Sequence, residues 1–322
     1  MAILPIPSGT RDILPDEMRE LSSIVGTLKG VFADAGFGEI TTPALEYEEV
    51  LSRADIGARP AYRVVDDHGA VLVLRSDMTV PIARVVATRY ATSEPPLRFC
   101  YVAPVYRAVR PHRGMSREFL QAGIELVGAP SPGGTAEALT VLCRALDAIG
   151  LRDYRVGLGS ANLVPSLLAE QGVEGDGVLE ALARHDFVAL EAEAAALGVD
   201  AEAILDVTQR RGGPEVLEGV AGGAVERLGA VHEQLPEDVA ERIIFDLGLV
   251  RRLGYYTGAV FEVYDPGMGE PLGGGGRYDD LCARFGRPLP AVGFALGIDA
   301  LHVALAGGGA SPAGAVRGDE RA

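Results

Sequence analysis

Three observations predict an α+β domain: an antiparallel sheet flanked by helices, carrying a mostly helical insertion. Two apolar runs, LRFCYVAPVYR and REFLQAGIELVG, flank AVRPHRGMS, a loop rich in arginine and proline. Strands joined by such a loop form an antiparallel hairpin with a long charged tip. Ahead of them a helical pattern is followed by FGEITTPALE, a β-branched run halted by Pro43 that cannot continue as a central ladder strand. From about Asn162 to Val239 alanine, leucine and glutamate dominate, broken by RRGGP and glycine pairs, which marks the insertion. The GGGG string does not open a helix after a strand, so a dinucleotide-binding Rossmann unit is excluded.

The elements follow in order. Asp16 to Ala35 is a helix because Met18, Leu21, Ile24, Val25, Leu28, Val31 and Phe32 recur at helical spacing, with Pro15 before it and Gly36 as its stop. Ala70 to Leu74 is a short strand, and a helix runs through PIARVVATRY after RSDMT. The hairpin comes next, then a helix from Thr135 to Ile149 and a strand in DYRVGLG. After the insertion, IIFDLG, YYTGAVFEVY, the glycine run GGGGRYDDL, PAVGFALG and a last helix, IDALHVAL, restore the core. The domain division is therefore 1–161 with 240–306 as the core, 162–239 as the insertion, and 307–322 as a low-complexity tail expected to be disordered. No internal repeat is present.

Composition removes several function classes. The chain carries 29 basic and 45 acidic residues, a net charge of −16, and such a field repels nucleic acid. Cys100, Cys143 and Cys282 are far apart in apolar stretches and form no CxxC pair, so buried free thiols are expected, with no zinc and no disulfide framework. The N-terminus has no basic region ahead of an apolar run, and AVGFALGIDALHVALAGG is interrupted by Asp299 and glycines. Neither a signal peptide nor a membrane span is expected, and a cytoplasmic location is. Lys29 is the only lysine, which excludes Schiff-base and Walker-type chemistry elsewhere.

Arginine concentrates at one place: Arg98, Arg107, Arg110, Arg113 and Arg117 lie on or beside the hairpin. They read either as an anion site, since guanidinium forks onto carboxylate and phosphate, or as surface pairs with the surplus acids. On the second strand Arg117, Phe119, Gln121, Gly123 and Glu125 alternate onto one face, a polar floor with space above the glycine or else a solvated sheet face. Asp77 and Thr79 share that parity if RSDMT is extended. A second polar cluster is RRLGYYTG, whose adjacent tyrosines could equally be packing.

These residues carry a resemblance. SGTRDILP, the helix–strand–proline segment and YR…RP…RG…REFLQAGIELVG resemble the first two motifs of class II aminoacyl-tRNA synthetases. VRRLGYYTGAVFE, GGGGRYDDL and AVGFALGIDAL resemble the histidine-specific signature and third motif of histidyl-tRNA synthetase, so that the likeness runs from about residue 5 to 303. It implies the class II antiparallel fold and a homodimer through the first motif. It also implies a histidine pocket: Asp77, Thr79 and Gln121 for the ammonium group, Glu125 and Tyr256 (beside Tyr255) for the imidazole, Arg107 and Arg251 for the carboxylate. Histidine offers a cation, an anion and two ring nitrogens, and each finds an opposite partner there. Asp77 stands where the synthetases commonly have glutamate.

The nucleotide side departs from that family. Val109 replaces the glutamate that reads adenine, Met115 a phosphate-contacting arginine, and Ala300 the arginine that ends the third motif, while Arg252 and Gly254 replace a glycine and an aspartate. Each lost charge-assisted bond is worth about 1.5–3 kcal/mol, so three together would weaken ATP engagement by on the order of several powers of ten. No anticodon-binding domain is expected after residue 320. With LRSDMTVPIARVVATRY, this pattern resembles the regulatory-subunit family of ATP phosphoribosyltransferase. The resemblance implies a non-catalytic chain without cofactor or catalytic residues. It would join a short-form catalytic subunit as a homodimer within a hetero-oligomer, support the first step of histidine biosynthesis, bind histidine, and bind no tRNA and no membrane. The enzyme-class alternative is a residual histidine-adenylating activity, kept open by Arg251; a structural paralogue that binds a synthetase or kinase is a third reading.

Overall fold

The computed structural model describes residues 5–54, 61–108, 116–184, 186–220, 222–249 and 254–307. Helix α1 spans Pro15–Asp34 and strand β1 Gly38–Glu39. A small three-stranded sheet follows from β2 (Leu45–Tyr47), β3 (Arg63–Val65) and β4 (Val71–Leu74), with α2 (Glu48–Ser52) in the crossing and α3 (Thr79–Thr88) after it. The hairpin is β5 (Leu97–Tyr106) and β6 (Glu118–Val127), then α4 (Gly133–Ala148) and β7 (Arg155–Ser160). Four helices build the insertion: α5 (Leu163–Glu170), α6 (Asp176–Ala183), α7 (Phe187–Leu197) and α8 (Ala201–Thr208). After β8 (Arg211–Gly212), α9 (Gly223–His232) and α10 (Glu237–Ala240), the sheet resumes as β9 (Ile243–Asp246), β10 (Ala259–Tyr264), β11 (Gly273–Arg277) and β12 (Ala291–Gly297), and α11 (Ile298–Leu305) closes the described chain.

The large sheet has nine described strands in the order β1-β5-β6-β12-β11-β10-β7-β9-β8. It is antiparallel except at β1–β5 and β7–β9. The α+β reading holds, and the segment before Pro43 is shorter than the sequence suggests. Only Gly38 and Glu39 pair, at the sheet edge, and Leu45–Tyr47 joins the smaller sheet instead. The reason is visible at Gly36, whose φ of 83° is the left-handed turn that stops α1 and swings the chain onto the edge. The GGGG run is itself the buried strand β11.

One face of the large sheet is covered by α1, α4, α9 and α11. Leu21, Leu28 and Phe32 of α1 and Leu139, Leu142 and Leu146 of α4 pack there on Ile124, Leu126, Phe261 and Phe294. A second cluster lies on the opposite face, where Met78, Val80 and Val86 meet Phe99, Tyr101, Tyr255 and Tyr278. The insertion has a third cluster of its own, from Val164 to Ile204, whereas α9 packs into the first through Val225, Leu228 and Val231. Arg75, 3% exposed, ties the small sheet to β5 by donating to the carbonyls of Pro104 (2.9 Å) and Thr42 (2.5 Å).

Burial predicts the ranking of two substitutions. Leu139→Ala, at a fully enclosed position of α4, should lower unfolding free energy by about 2–5 kcal/mol. Met18→Ala, on the exposed side of α1, should change it by no more than about 0.5 kcal/mol. Urea denaturation of the two variants checks the order.

Candidate functional site

The face opposite α1 and α4 is hollow because glycine occupies adjoining positions of neighbouring strands. In the register, Glu125 of β6 stands opposite Gly293 of β12, and Gly293 opposite Gly276 of β11. A Cβ on Gly293 would lie 1.9 Å from the Glu125 Oε2, and one on Gly276 would lie 2.8 Å from the Tyr256 ring. No other residue leaves room for both side chains. On the other side of β6, β5 sets Tyr101 opposite Gly123, with its hydroxyl 2.6 Å from where a Cβ would stand.

Glu125 is the centre of this hollow and is 1% exposed. Its Oε1 accepts from the Thr79 hydroxyl at 2.7 Å, and its Oε2 accepts a short hydrogen bond from Tyr278. Tyr255 packs edge-on to Tyr278, with ring centroids 5.7 Å apart, and tilts on Tyr256 at 4.9 Å. Burial pushes the Glu125 carboxyl from its ordinary 4.5 up to about 8; the bonds from Thr79 and Tyr278 oppose that rise and the Asp77 charge adds to it. Burial likewise raises Tyr101, Tyr255 and Tyr278, and the charge of Glu125 adds to each. Among the described residues no cation pairs with Glu125 or Asp77. Two buried carboxyls, four tyrosines and a threonine therefore enclose a region rich in hydrogen-bonding oxygens, where a small cation with hydrogen-bonding nitrogens would favour the ionised form of Glu125.

Of the residues singled out in sequence, Thr79, Glu125 and Tyr255 converge directly, and Asp77 and Tyr256 border them. The basis for pairing Asp77 with Thr79 needs correction, because RSDMT is not a strand. Thr79 is the first residue of α3, and Asp77 Oδ1 accepts from the Val80 N–H at 3.1 Å, capping that helix. Gln121 lies two side-chain steps from Glu125 along the same face, opposite Gly297. Arg107 follows β5, and its guanidinium sits over the Phe119 ring, 5.0 Å from the centroid. Arg98 does not join the site; it forms a forked pair with Glu137 of α4, at 3.1 Å to each oxygen. Ala300 is half-buried against the helical core. Val109, Arg110, Arg113, Met115, Arg251 and Arg252 lie outside the described residues. Tyr278 and Tyr101 escaped the sequence reading. Opposition to Gly123 could have found Tyr101 once the hairpin register was fixed, while nothing local points Tyr278 at Glu125.

The comparisons agree with the fold. The family model for histidyl-tRNA synthetase matches residues 9–301. The chain is 42% identical to an ATP phosphoribosyltransferase regulatory subunit of Symbiobacterium thermophilum, covering 93% of this chain and 79% of that one. It is 41% identical to one of Rubrobacter xylanophilus, covering 91% and 75%. Among solved structures, an ATP phosphoribosyltransferase regulatory subunit/histidyl-tRNA synthetase of Bacillus halodurans superposes with a TM-score of 0.87 at 33% identity, over 95% of this chain and 84% of that one. A histidyl-tRNA synthetase of Nostoc sp. gives 0.79 at 23% identity, over 96% and 77%, a likeness of fold.

The raised Glu125 carboxyl makes stability depend on pH. The folded chain holds a proton there that the unfolded chain releases near pH 4.5, so this group's contribution is lost as pH rises from about 4.5 to about 8 and is flat above. Its slope is at most about 1.4 kcal/mol per pH unit. Glu125→Gln should flatten that decline in urea midpoints taken across this range, and an unchanged slope would assign it to other groups.

Proposed function

This chain belongs to the family of ATP phosphoribosyltransferase regulatory subunits, and we propose that its synthetase-like hollow is the histidine sensor of that assembly. The chain is a regulatory subunit in histidine biosynthesis, not itself catalytic; the activity resides in a separate catalytic chain. What carries the sensor reading is the buried pair Asp77 and Glu125, enclosed with Thr79 and tyrosine hydroxyls and with no cation bonded to it among the described residues. Histidine supplies the missing positive charge and ring nitrogens. In this reading Asp77, Thr79 and Gln121 take its ammonium group and Glu125, Tyr255 and Tyr256 its ring. Arg107 and Arg251 take its carboxylate, and Tyr278 holds Glu125 in place. A ligand shifts an equilibrium by no more than its differential affinity for the two states, typically about 1–3 kcal/mol, and that is the scale of feedback proposed.

The partner is proposed to be a short-form catalytic subunit, met as a homodimer within a hetero-oligomer. The insertion supports the absence of tRNA: residues 162–239 carry 16 acidic and 4 basic side chains, a surface that repels phosphates. No described helix is long and apolar enough to cross a membrane, and three buried free thiols fit the cytoplasm. The homodimer reading is supported by the outer face of the small sheet, where Leu45, Tyr47 and Val64 are each at least 40% exposed beside Leu72 and Leu74. Together with the outer side of α1, that face is the proposed contact with a second copy.

Two expected outcomes test these readings. The wild-type chain should sediment as a dimer at micromolar concentration, and Tyr47→Glu should shift it toward monomer; a monomeric wild type ends the dimer proposal. Added to a short ATP phosphoribosyltransferase, the chain should raise its activity and histidine should lower it. Glu125→Ala should leave complex formation intact and weaken histidine binding at least tenfold, about the worth of one charge-assisted bond. If histidine inhibits that variant as it does the wild type, the sensor lies elsewhere. Histidine-dependent ATP–pyrophosphate exchange by the purified chain would instead favour a residual adenylating enzyme.

A further inference from the structure

On the opposite side of the sheet from Glu125 lies a cavity of about 70 Å³, enclosed by α9, the loop before α4, and the ends of β7, β10 and β11. It is roomy enough for several waters, each needing about 10–15 Å³ by this measure, or for one tetrahedral ion. It stands back to back with the hollow. In Tyr256–Thr257 and Tyr278–Asp279, each tyrosine belongs to the Glu125 side, while Thr257 and Asp279 line the cavity.

Its polar wall is made of donors. Arg277 is 3% exposed and has five N–H groups, of which three are spent on Asp279, the Thr135 hydroxyl and the Ala129 carbonyl. Ser160 Oγ already accepts from the Asn162 N–H, and Thr257 Oγ1 from the Asp279 N–H, so each hydroxyl keeps its hydrogen to donate. Arg227 of α9 adds a second guanidinium, and it forms no ion pair with a described residue although acids outnumber bases in this chain. The one carboxylate in the wall, Asp279, is committed to Arg277 and to the Ala291 N–H. Ala224, Leu228 and Val231 close the remaining side with apolar surface.

We propose that this cavity is a binding site for a free inorganic oxyanion of the phosphate class, held by Arg227 and Arg277 with the hydroxyls of Ser131, Ser160 and Thr257. A small, acceptor-only anion satisfies the surplus donors, and the guanidinium pair offsets its charge. A volume of about 70 Å³ matches one such ion and is too small to enclose a nucleoside with it.

The test uses the full chain with inorganic phosphate as the probe. Titration calorimetry and thermal melts are run against sodium chloride at equal ionic strength. Phosphate should bind with one site per chain and raise the melting temperature, where chloride does not. Arg227→Gln, at an exposed position that the fold does not need, should weaken phosphate at least about tenfold, and Arg227→Lys should recover part of that loss. A crystal grown with phosphate should show the ion between the two arginines. Equal effects of phosphate and chloride, an Arg227→Gln variant that binds as the wild type does, or water alone in the cavity would each overturn the proposal. AMP displacing phosphate with equal affinity would overturn the free-ion assignment.

Discussion

The site depends on an absence of side chains. Gly293 and Gly276 stand next to each other across β12 and β11, and the Glu125 carboxyl and the Tyr256 ring occupy the space their Cβ atoms would take. Any L side chain at Gly293 would collide with the carboxyl oxygen itself. With Glu125 displaced, the Thr79 and Tyr278 bonds have no acceptor, and α3 loses its tie to β6. One strip of glycine thus fixes both the depth of the hollow and the packing of the second hydrophobic cluster above it.

The two faces of the sheet divide the labour. On one, Leu, Phe and Val side chains of α1, α4, α9 and α11 interlock with the strands and supply the stability of a close-packed interior. On the other, stability is given up locally: a buried carboxyl without a cation costs desolvation free energy, relieved in part by two hydroxyl donors and by protonation. Such a group persists where its surroundings hold it, and its presence is evidence of a site built for a ligand more than for folding.

The helical insertion carries its own hydrophobic cluster and most of the chain's surplus acid. Between residues 162 and 239 acidic side chains outnumber basic ones by 16 to 4. The strand β8 and helix α9, in the second half of the insertion, anchor it to the sheet through β9 and the first cluster.

The hairpin, the helix–strand–proline entry and the inward parity of Gln121, Gly123 and Glu125 are legible in the sequence, because alternation and helical spacing are local signals. Its motif strings, contiguous in the chain, also carry the resemblance to the family. Only the tertiary structure decided that Asp77 caps α3, that Tyr278 reaches Glu125 across 153 positions, and that Arg98 belongs to an ion pair with Glu137. It alone set Arg227 and Arg277 around one cavity behind the sheet. Those facts rest on strand register and on which helix covers which face, and both are set by contacts between residues far apart in sequence, where no local pattern carries the information.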